Sequence, residues 1–396
     1  MVMMMMITKS VLSGSFLLLL LSSTVSGLGS VVTRFYSQVR NHVSWQEAQS
    51  YCRRSNAYID MAVLYTHSDR DRMYLDNYNA WIGLYKNSNN WDWSDGENTN
   101  FYGWRRYEPR NADTCAYVDY SDKKFVGDDC GTYFFFLCHK RHKRNYEYKF
   151  MSTSMTWSEA QQHCRDSDKY DDLATFENIG DAGGGGGNGS GDSSGDGGGS
   201  GDSSWVNMYS FIKLENFPVW IGLHRDGGTW NWSIGSSEYG SWEPGEPSDS
   251  GDCVSISSSE KKMSAQNCSI RLPFVCMNDN LILVKENRPW EEALEHCRNL
   301  IAPYYYHYEL VSVQPSDHDY VTSRVIDAET EEVWTGLRFL AGRWLWVNGA
   351  DMLYSDLPTC PVEVQSCGAL PKKDTGILET RDCSEKRNFL CYRTWF

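Results

Sequence analysis

The sequence has no apolar run long enough to cross a membrane, and this absence limits where the chain can act. Its N-terminal run Phe16–Leu21 is far shorter than the roughly 18 residues that a spanning helix needs, and no later segment reaches that length. Basic residues are also few, with 37 Lys and Arg against 52 Asp and Glu and a formal net charge of −15. This acidic balance argues against nucleic acid or an anionic membrane as a partner.

Catalytic motifs are missing as well. The sequence contains no nucleophile–base set, no HExxH-like histidine pair and no phosphate-binding loop. A scatter of Ser, His and Asp in a chain of 396 residues carries no catalytic information without such a motif. We therefore expect a protein that is not an enzyme and has no certain cofactor.

The N-terminus has the pattern of a secretory signal peptide, which we place at 1–27. Lys9 supplies a positive region, Phe16–Leu21 the apolar core, and Ser26 and Gly27 the small residues of a cleavage site. A signal anchor is the alternative, but the apolar run is too short to span a bilayer. We expect a secreted, extracellular protein without membrane insertion, in a compartment where disulfides persist.

Cysteine, in contrast, is abundant and regularly spaced. Twelve of the 13 cysteines fall into three sets of four: Cys52, Cys115, Cys130 and Cys138; Cys164, Cys253, Cys268 and Cys276; Cys297, Cys367, Cys383 and Cys391. The third and fourth cysteines are 8 residues apart in every set, and the second and third are 15 or 16 apart. Repetition at a fixed spacing indicates three copies of one structural unit.

Tryptophans repeat in the same register. One stands seven residues before each first cysteine, with an Ala three residues after it, so that the Trp, Ala and Cys share one helix face (Trp45, Trp157 and Trp290). A second begins a Trp-Ile-Gly-Leu or Trp-Thr-Gly-Leu strand (Trp81, Trp220 and Trp334), and a Trp-x-Trp pair follows ten residues later (Trp91/Trp93, Trp230/Trp232 and Trp344/Trp346). We expect these indoles to pack in cores rather than to stack on a ligand.

This arrangement resembles the C-type lectin-like domain, repeated as in macrophage mannose receptor-like proteins but without their membrane anchor. The resemblance implies an α+β fold of three tandem domains, each with two helices, two small antiparallel sheets, a long loop and two disulfides. We place the domains at 34–139, 145–277 and 280–393, with a basic linker at 140–144 and a Gly/Ser/Asp-rich insert at 180–204 in the second. We expect the insert to be flexible coil. The linker also contains an Arg-x-Lys-Arg pattern typical of convertase cleavage.

Spacing alone leaves three pairings open for four cysteines. The resemblance implies that the first pairs with the fourth and the second with the third. The expected bridges are Cys52–Cys138, Cys115–Cys130, Cys164–Cys276, Cys253–Cys268, Cys297–Cys391 and Cys367–Cys383. Cys360 is left over in a loop expected to be exposed, which predicts either a disulfide-linked homodimer through Cys360 or a capped thiol. Asn188 and Asn231 begin glycosylation sequons.

In sugar-binding members of the family, a Ca²⁺ ion in the long loop coordinates sugar hydroxyls. Its ligands flank a proline, stand two residues before the second cysteine, and form an Asn-Asp pair before the third; Ca²⁺ takes 6–8 oxygens. In the first domain Glu108 and Asp113 fit this pattern. Arg110 replaces an Asn, and Val126 with Gly127 stands in place of the Asn-Asp pair.

In the second domain Glu246 fits, Ser248 is a weak neutral ligand and Asp252 is adjacent to the expected position, which Gly251 occupies. Ser264 and Ala265 replace the Asn-Asp pair. In the third, Cys360, Pro361 and Val362 occupy the position, and no site is left. We expect Glu108 and Glu246 to bind calcium weakly or not at all.

Three functions stay open on this basis. The first is recognition of a glycan or glycoprotein ligand with weak or lost calcium dependence. The second is calcium-independent binding of a protein ligand without sugar binding. The third is a structural role in the extracellular matrix. The missing Asn-Asp pairs favour the second on chemical grounds, whereas the habit of the family favours the first.

Overall fold

A computed structural model describes residues 29–97, 103–142, 146–176, 212–302, 305–358, 366–373 and 377–395. The signal peptide, the whole Gly/Ser/Asp-rich insert 180–204 and Cys360 lie outside these ranges, and Asn188 lies in that insert. The described residues divide into two compact units, one within 34–278 and one in which 29–33 join those from 279 to 395. No helix among the described residues is both long and apolar enough to cross a membrane.

The larger unit contains two composite domains. The first composite domain, built from 79–142 and 146–176, contains β3 Asn79–Asn87, β4 Asn90–Trp93, β5 Cys115–Asp119, β6 Lys124–Asp128, β7 Phe134–Arg141, β8 Tyr146–Met155, α3 Trp157–Arg165 and β9 Asp172–Leu173. The second composite domain, built from 34–71 and 212–278, contains β1 Arg34–Val43, α1 Trp45–Arg54, β2 Asp60–Met61, α2 His67–Asp71, β10 Pro218–Asp226, β11 Thr229–Trp232, β12 Cys253–Ser257, β13 Met263–Gln266 and β14 Leu272–Asp279.

The smaller unit contains the C-terminal domain. Its elements are β15 Leu281–Arg288, α4 Trp290–Asn299, β16 Tyr306–Leu310, a 3₁₀ turn Pro315–Asp317, α5 His318–Val325, β17 Glu332–Leu340, β18 Arg343–Trp346, β19 Ser366–Pro371, β20 Glu379–Asp382 and β21 Arg387–Trp395. Two helices are present here and in the second composite domain, whereas the described residues of the first composite domain form one.

Each domain has one connected seven-stranded sheet rather than two small separate ones. The strand orders are β6-β5-β3-β7-β8, β1-β14-β10-β12-β13 and β15-β21-β17-β19-β20, with two further short strands at the side of each. The Trp-x-Gly-Leu strand pairs in parallel with the last strand of its own sequence repeat, β7, β14 or β21, and the other strand pairings are antiparallel. The expected separate antiparallel sheets are thus joined through this one parallel contact.

The long helices begin where the sequence provides caps. Ser44 and Thr156 each accept a hydrogen bond from the backbone N–H three residues later, and Glu47 and Glu159 bond back to the cap residues. Such capping boxes satisfy N–H groups that the first helical turn leaves unpaired. In α1, α3 and α4 the Trp, Ala and Cys of the repeat are buried, as their i, i+3, i+7 spacing predicts.

The two composite domains are interleaved: the N-terminal half of each sequence repeat packs on the C-terminal half of the other. Cys52 pairs with Cys276, and Cys138 pairs with Cys164. The expected bridges Cys52–Cys138 and Cys164–Cys276 are therefore wrong. The remaining four bridges join the cysteines that the resemblance implies: Cys115–Cys130, Cys253–Cys268, Cys297–Cys391 and Cys367–Cys383.

The length of the connections between repeats explains why the first two repeats interleave and the third does not. Strand β7 ends at Arg141 and β8 begins at Tyr146, and these two residues pair next to the connection of an antiparallel hairpin. Between β14 and β15 only Asn280 is left, which is too short for the two-residue turn that a hairpin needs. Strand β15 therefore pairs with β21 of its own repeat, while β8 folds back on the repeat before it.

This hairpin includes part of the expected linker 140–144. Lys140 and Arg141 belong to strand β7, where they pair with Glu147 and Tyr146, so they are not a free connection. Arg141 also forms an ion pair with Glu97. Residues 143–145 lie outside the described ranges.

In all three cores the helix tryptophan makes the same contact with the Trp-x-Gly-Leu strand, whether or not the helix and strand belong to the same repeat. The indole N–H of the helix Trp donates to a carbonyl of the Trp-x-Gly-Leu strand: Trp45 to Ile221, Trp157 to Ile82 and Trp290 to Thr335, each at 2.8 Å. Trp81, Trp220 and Trp334 are fully buried, as are Trp93, Trp232 and Trp346 to within a few per cent, which agrees with a core role. Trp91, Trp230 and Trp344 are only half-buried.

Candidate functional site

The first candidate site lies in the loop before β5, where the structure brings Glu108 and Asp113 to either side of Gly127. The carboxylate of Glu108 accepts the Gly127 N–H at 3.3 Å and an ion pair from Arg110 at 3.2 Å. Asp113 is buried and accepts the backbone N–H of Arg110. Hydrogen-bond donors of the protein therefore occupy both carboxylates, whereas in a calcium site the carboxylate oxygens would face the ion.

Gly127 shows why a calcium ligand cannot simply be restored here. A Cβ atom on residue 127 would overlap the side chain of Asp113, including the Cβ atom of Asp113. The position that carries an acid in the family pattern must therefore stay glycine while Asp113 is folded inward. Nearby, Asp128 and Asp129 accept hydrogen bonds within the turn before Cys130, from the N–H groups of Asp129 and Gly131.

The second candidate site lies in the corresponding loop before β12 and brings Glu246 and Ser248 together. Glu246 accepts the backbone N–H groups of Ser248 at 2.8 Å and Ala265 at 2.9 Å, and the Ser248 hydroxyl at 3.0 Å. Burial raises the pKa of Glu246, but the donors from Ala265 and Ser248 outweigh it, so that its pKa lies below the ordinary value. The carboxylate is thus held ionised without a metal.

Asp252 does not join that cluster. Its carboxylate faces Arg225 of β10, whose Nε lies 2.7 Å away, and Arg225 also reaches Asp249 at 3.4 Å. Gly251 packs so closely on the next strand that a Cβ there would overlap the backbone of Gln266. Any acidic side chain two residues before Cys253 would require that backbone to move.

Two basic residues that the sequence reasoning missed fix these loops. Lys86 donates to the carbonyl of Asn111 at 2.9 Å in the first site, and Arg225 binds its two aspartates in the second. Both stand five residues after the tryptophan of the Trp-Ile-Gly-Leu strand, which is the signal that could have revealed them. A cation of the protein occupies part of the loop where the family pattern would bind Ca²⁺.

A further missed residue, Asp119, joins the two composite domains next to the first site. Its buried carboxylate accepts hydrogen bonds from Arg105 at 2.8 Å and from Arg40 of β1 at 2.6 Å. Burial opposes its ionisation, but the bonds from Arg105 and Ser121 outweigh burial and lower the pKa of Asp119 to about 2. The site loop is thereby anchored to both halves of the interleaved unit.

The prolines of both loops follow cis peptide bonds, Glu108–Pro109 and Glu246–Pro247, whereas Cys360, Pro361 and Val362 lie outside the described ranges. In the C-terminal domain Glu379 stands four residues before Cys383, where the family pattern has the Asn, and its carboxylate pairs with Arg381 at 3.4 Å. In the described part of the chain, no group of three or more His, Cys, Asp or Glu side chains is placed to hold a metal. The donor sets present at Glu108 and Glu246 do not fit a calcium ion.

Of the two glycosylation sequons, only Asn231 is described. It is exposed on strand β11, between the half-buried Trp230 and the buried Trp232. Its side-chain nitrogen donates only to the Thr229 carbonyl two residues back, at 3.0 Å. Glycosylation of Asn231 and Asn188 stays a prediction.

Comparison with known proteins finds similar sequences among C-type lectins and a mannose receptor. The chain is 22% identical over 398 aligned residues to human C-type mannose receptor 2, covering 79% of this chain and 25% of the receptor. It is 31% identical over 91 residues to a C-type lectin mannose-binding isoform of Oxyuranus scutellatus, covering 21% of this chain and 58% of that protein. The chain thus spans a quarter to somewhat over half of the length of these relatives.

Among solved structures, the C-type lectin CEL-I from Cucumaria echinata matches 29% of this chain and 90% of its own, at 19% identity and a TM-score of 0.26. The family model of the lectin C-type domain matches three segments, 41–140, 153–278 and 286–393. Together they cover most of the chain, and each contains one of the three cysteine sets. The chain belongs to the C-type lectin domain family.

Proposed function

We propose that this protein is an extracellular, non-enzymatic recognition protein that binds glycans or glycoproteins without a calcium ion in its long loops. The observation that carries the proposal is the state of Glu246 and Glu108. Their carboxylates are bound by N–H, O–H and guanidinium donors of the protein. A mannose-binding lectin and a mannose receptor among the relatives support a sugar as the ligand class.

The six disulfides support an extracellular location, because such bridges persist in oxidising compartments. The signal peptide at 1–27 would deliver the chain there. Three domains in one chain would raise the avidity of individually weak sugar contacts. Cys360, the one cysteine beyond these bridges, would link two chains.

A glycan array tests the proposal directly. The full secreted chain is applied in calcium and again in EDTA, with Glu246→Gln as the variant and Glu243→Gln in the same loop as its matched control. We expect the same glycans to be bound in both buffers and by both variants. Binding that disappears in EDTA, or with Glu246→Gln alone, would show that an ion in this loop holds the sugar.

One observation favours a protein ligand as the second candidate. Tyr107 of the first loop is 80% exposed and stacks on Arg106, whose guanidinium carbon lies 4.7 Å from the ring centre. Tyrosine and arginine dominate the binding energy of many protein interfaces. A chain that binds no glycan on the array, but retains a protein ligand that Tyr107→Ala releases, would establish this second function instead.

A further inference from the structure

A cleft of about 520 Å³ opens where the two composite domains meet. One wall comes from β1 and includes His42, together with Arg271 near the start of β14. The opposite wall comes from the first composite domain and includes Tyr117, Asp128 and Tyr133. None of the candidate residues Glu108, Asp113, Glu246, Ser248 and Asp252 lines it, so the cleft is distinct from the long-loop sites.

Interleaving builds this cleft and fixes its walls. The ring of His42 packs edge-on against Phe134 and Phe135, with centroids 5.6 and 4.4 Å away, and its Nδ1 lies 2.5 Å from the Ser154 hydroxyl. The Arg40–Asp119 ion pair joins the same two walls. A ligand therefore meets a preformed surface and need not order it, which favours binding.

A second cleft of about 350 Å³ shares Tyr133 and Arg271 with the first. Ser152, Ser154 and Gln266 give it a polar lining. The guanidinium carbon of Arg271 lies 4.7 Å from the centre of the Tyr133 ring, so this stacked pair is the wall common to both clefts. Two adjoining polar clefts fit an elongated ligand better than a single compact one.

The chemistry of the first cleft narrows the ligand class. Its lining holds one carboxylate and one guanidinium, so Asp128 would repel an anion and Arg271 a cation. Both groups already have partners in the protein, since Asp128 accepts from the Thr132 hydroxyl and Arg271 pairs with Glu47. A purely apolar ligand would displace water from this polar lining without replacing its hydrogen bonds, so a neutral ligand that both donates and accepts hydrogen bonds is favoured.

A saccharide meets each requirement: its hydroxyls donate and accept, its C–H face stacks on an aromatic ring, and it carries no charge. We propose that these joined clefts are a calcium-independent site for a neutral oligosaccharide of about two or more sugar units, with Tyr133 as the stacking platform. This inference rests on the proposed glycan-binding function. It assigns the sugar to the seam between the composite domains instead of the long loops.

Titration calorimetry of the full chain in EDTA tests the site, with mannotriose, maltotriose and chitotriose as probes. The variants are Tyr133→Ala and Arg271→Ala, and the matched controls are Tyr107→Ala and Glu246→Gln in the long loops. We expect at least one probe to bind, and each cleft variant to weaken its binding about fivefold or more, which corresponds to a lost contact of about 1 kcal/mol. Unchanged far-ultraviolet circular dichroism checks the fold.

The outcomes separate the two proposals. If the cleft variants bind as the parent does while a long-loop control weakens binding, the seam site is wrong and the glycan-binding function stands. If none of the probes binds in EDTA but the array shows calcium-dependent glycans, the seam site and the calcium-independence are both wrong. If neither experiment shows any glycan, the proposed function itself fails.

Discussion

Removing Cys138 and Cys164 together distinguishes the interleaved arrangement from a serial one. In the structure these two cysteines form one bridge across 26 residues, so the variant Cys138→Ser/Cys164→Ser loses one disulfide and creates no new thiol. In a serial arrangement they would belong to two different bridges, and the same variant would release Cys52 and Cys276 as thiols. The difference is two free thiols per chain.

The magnitude follows from loop-closure entropy. A bridge across 26 residues stabilises by about 3.5 kcal/mol, whereas losing the two serial bridges would remove about 9 kcal/mol. Alkylation of the denatured, unreduced chain followed by intact-mass measurement counts the thiols, and a urea titration measures the loss of stability. Two added thiols relative to the parent, with the larger loss, would refute the interleaved fold.

Two further variants serve as controls for that count. Cys115→Ser/Cys130→Ser removes a bridge that both arrangements share, so it adds no thiol in either case. Cys52→Ser/Cys138→Ser reverses the test, because it leaves Cys164 and Cys276 unpaired only if the domains are interleaved. The interleaved and serial pairings therefore predict different thiol counts for two of the three variants and the same count for the third.

Three other predictions follow from the same contacts. Deleting residues 143–145 leaves one residue between β7 and β8, as Asn280 does between β14 and β15. We expect the bridges to change to Cys52–Cys138 and Cys164–Cys276, because one residue is too short for a hairpin turn. Peptide mapping that still finds Cys138–Cys164 would contradict this explanation. Burial lowers the pKa of His42 to about 3, so the unfolded chain takes up a proton below its ordinary pKa of 6.5 while the native chain does not; stability is full above that pH and falls by about 2 kcal/mol from pH 7 to pH 5. Urea midpoints at the two pH values should show this loss in the parent and a smaller one in His42→Gln, and equal losses would contradict it. Arg34→Met removes the guanidinium that lies 2.9 Å from the fully buried Asp69 and should cost about 3–5 kcal/mol in urea unfolding. Arg53→Met, at a pair whose guanidinium is half-exposed although Asp60 is buried, should cost less.

The sequence was sufficient for the parts of the fold that each repeat specifies by itself. Helix α1 begins at Trp45 after its Ser44 cap, and Trp45, Ala48 and Cys52 are buried on one face, as their spacing predicts. The bridge Cys115–Cys130 likewise joins cysteines that lie within one half of a repeat. These features depend on short-range geometry, which a single repeat contains completely.

The sequence of a repeat does not show whether its N-terminal half packs on its own C-terminal half or on that of another repeat. Trp45 and Trp157 make equivalent contacts, so either helix fits either core. Loop-closure entropy does not select between the pairings, because each pattern of two bridges stabilises by about 9 kcal/mol. The deciding feature is the number of residues between strands, and strand ends are the least certain part of a prediction from sequence.

The candidate sites divide in the same way. The register of Glu108 and Glu246 relative to Cys115 and Cys253 could be read directly, and so could the missing Asn-Asp pairs. What fills the loops instead could not, because it depends on three-dimensional approach: the Gly127 N–H on Glu108, and the backbone of Gln266 against Gly251. The seam cleft was missed because it exists only once two repeats exchange halves.

The hairpin turn after Arg141 lies inside the loop closed by Cys138 and Cys164, and also inside the one closed by Cys52 and Cys276. A protease that nicked the basic residues of this turn would therefore create a new pair of chain ends without releasing either fragment. Such a molecule would migrate as intact until a reductant was added, and it would keep its three lectin-type domains tethered. Processing at this position would loosen the unit locally and could never shed a domain.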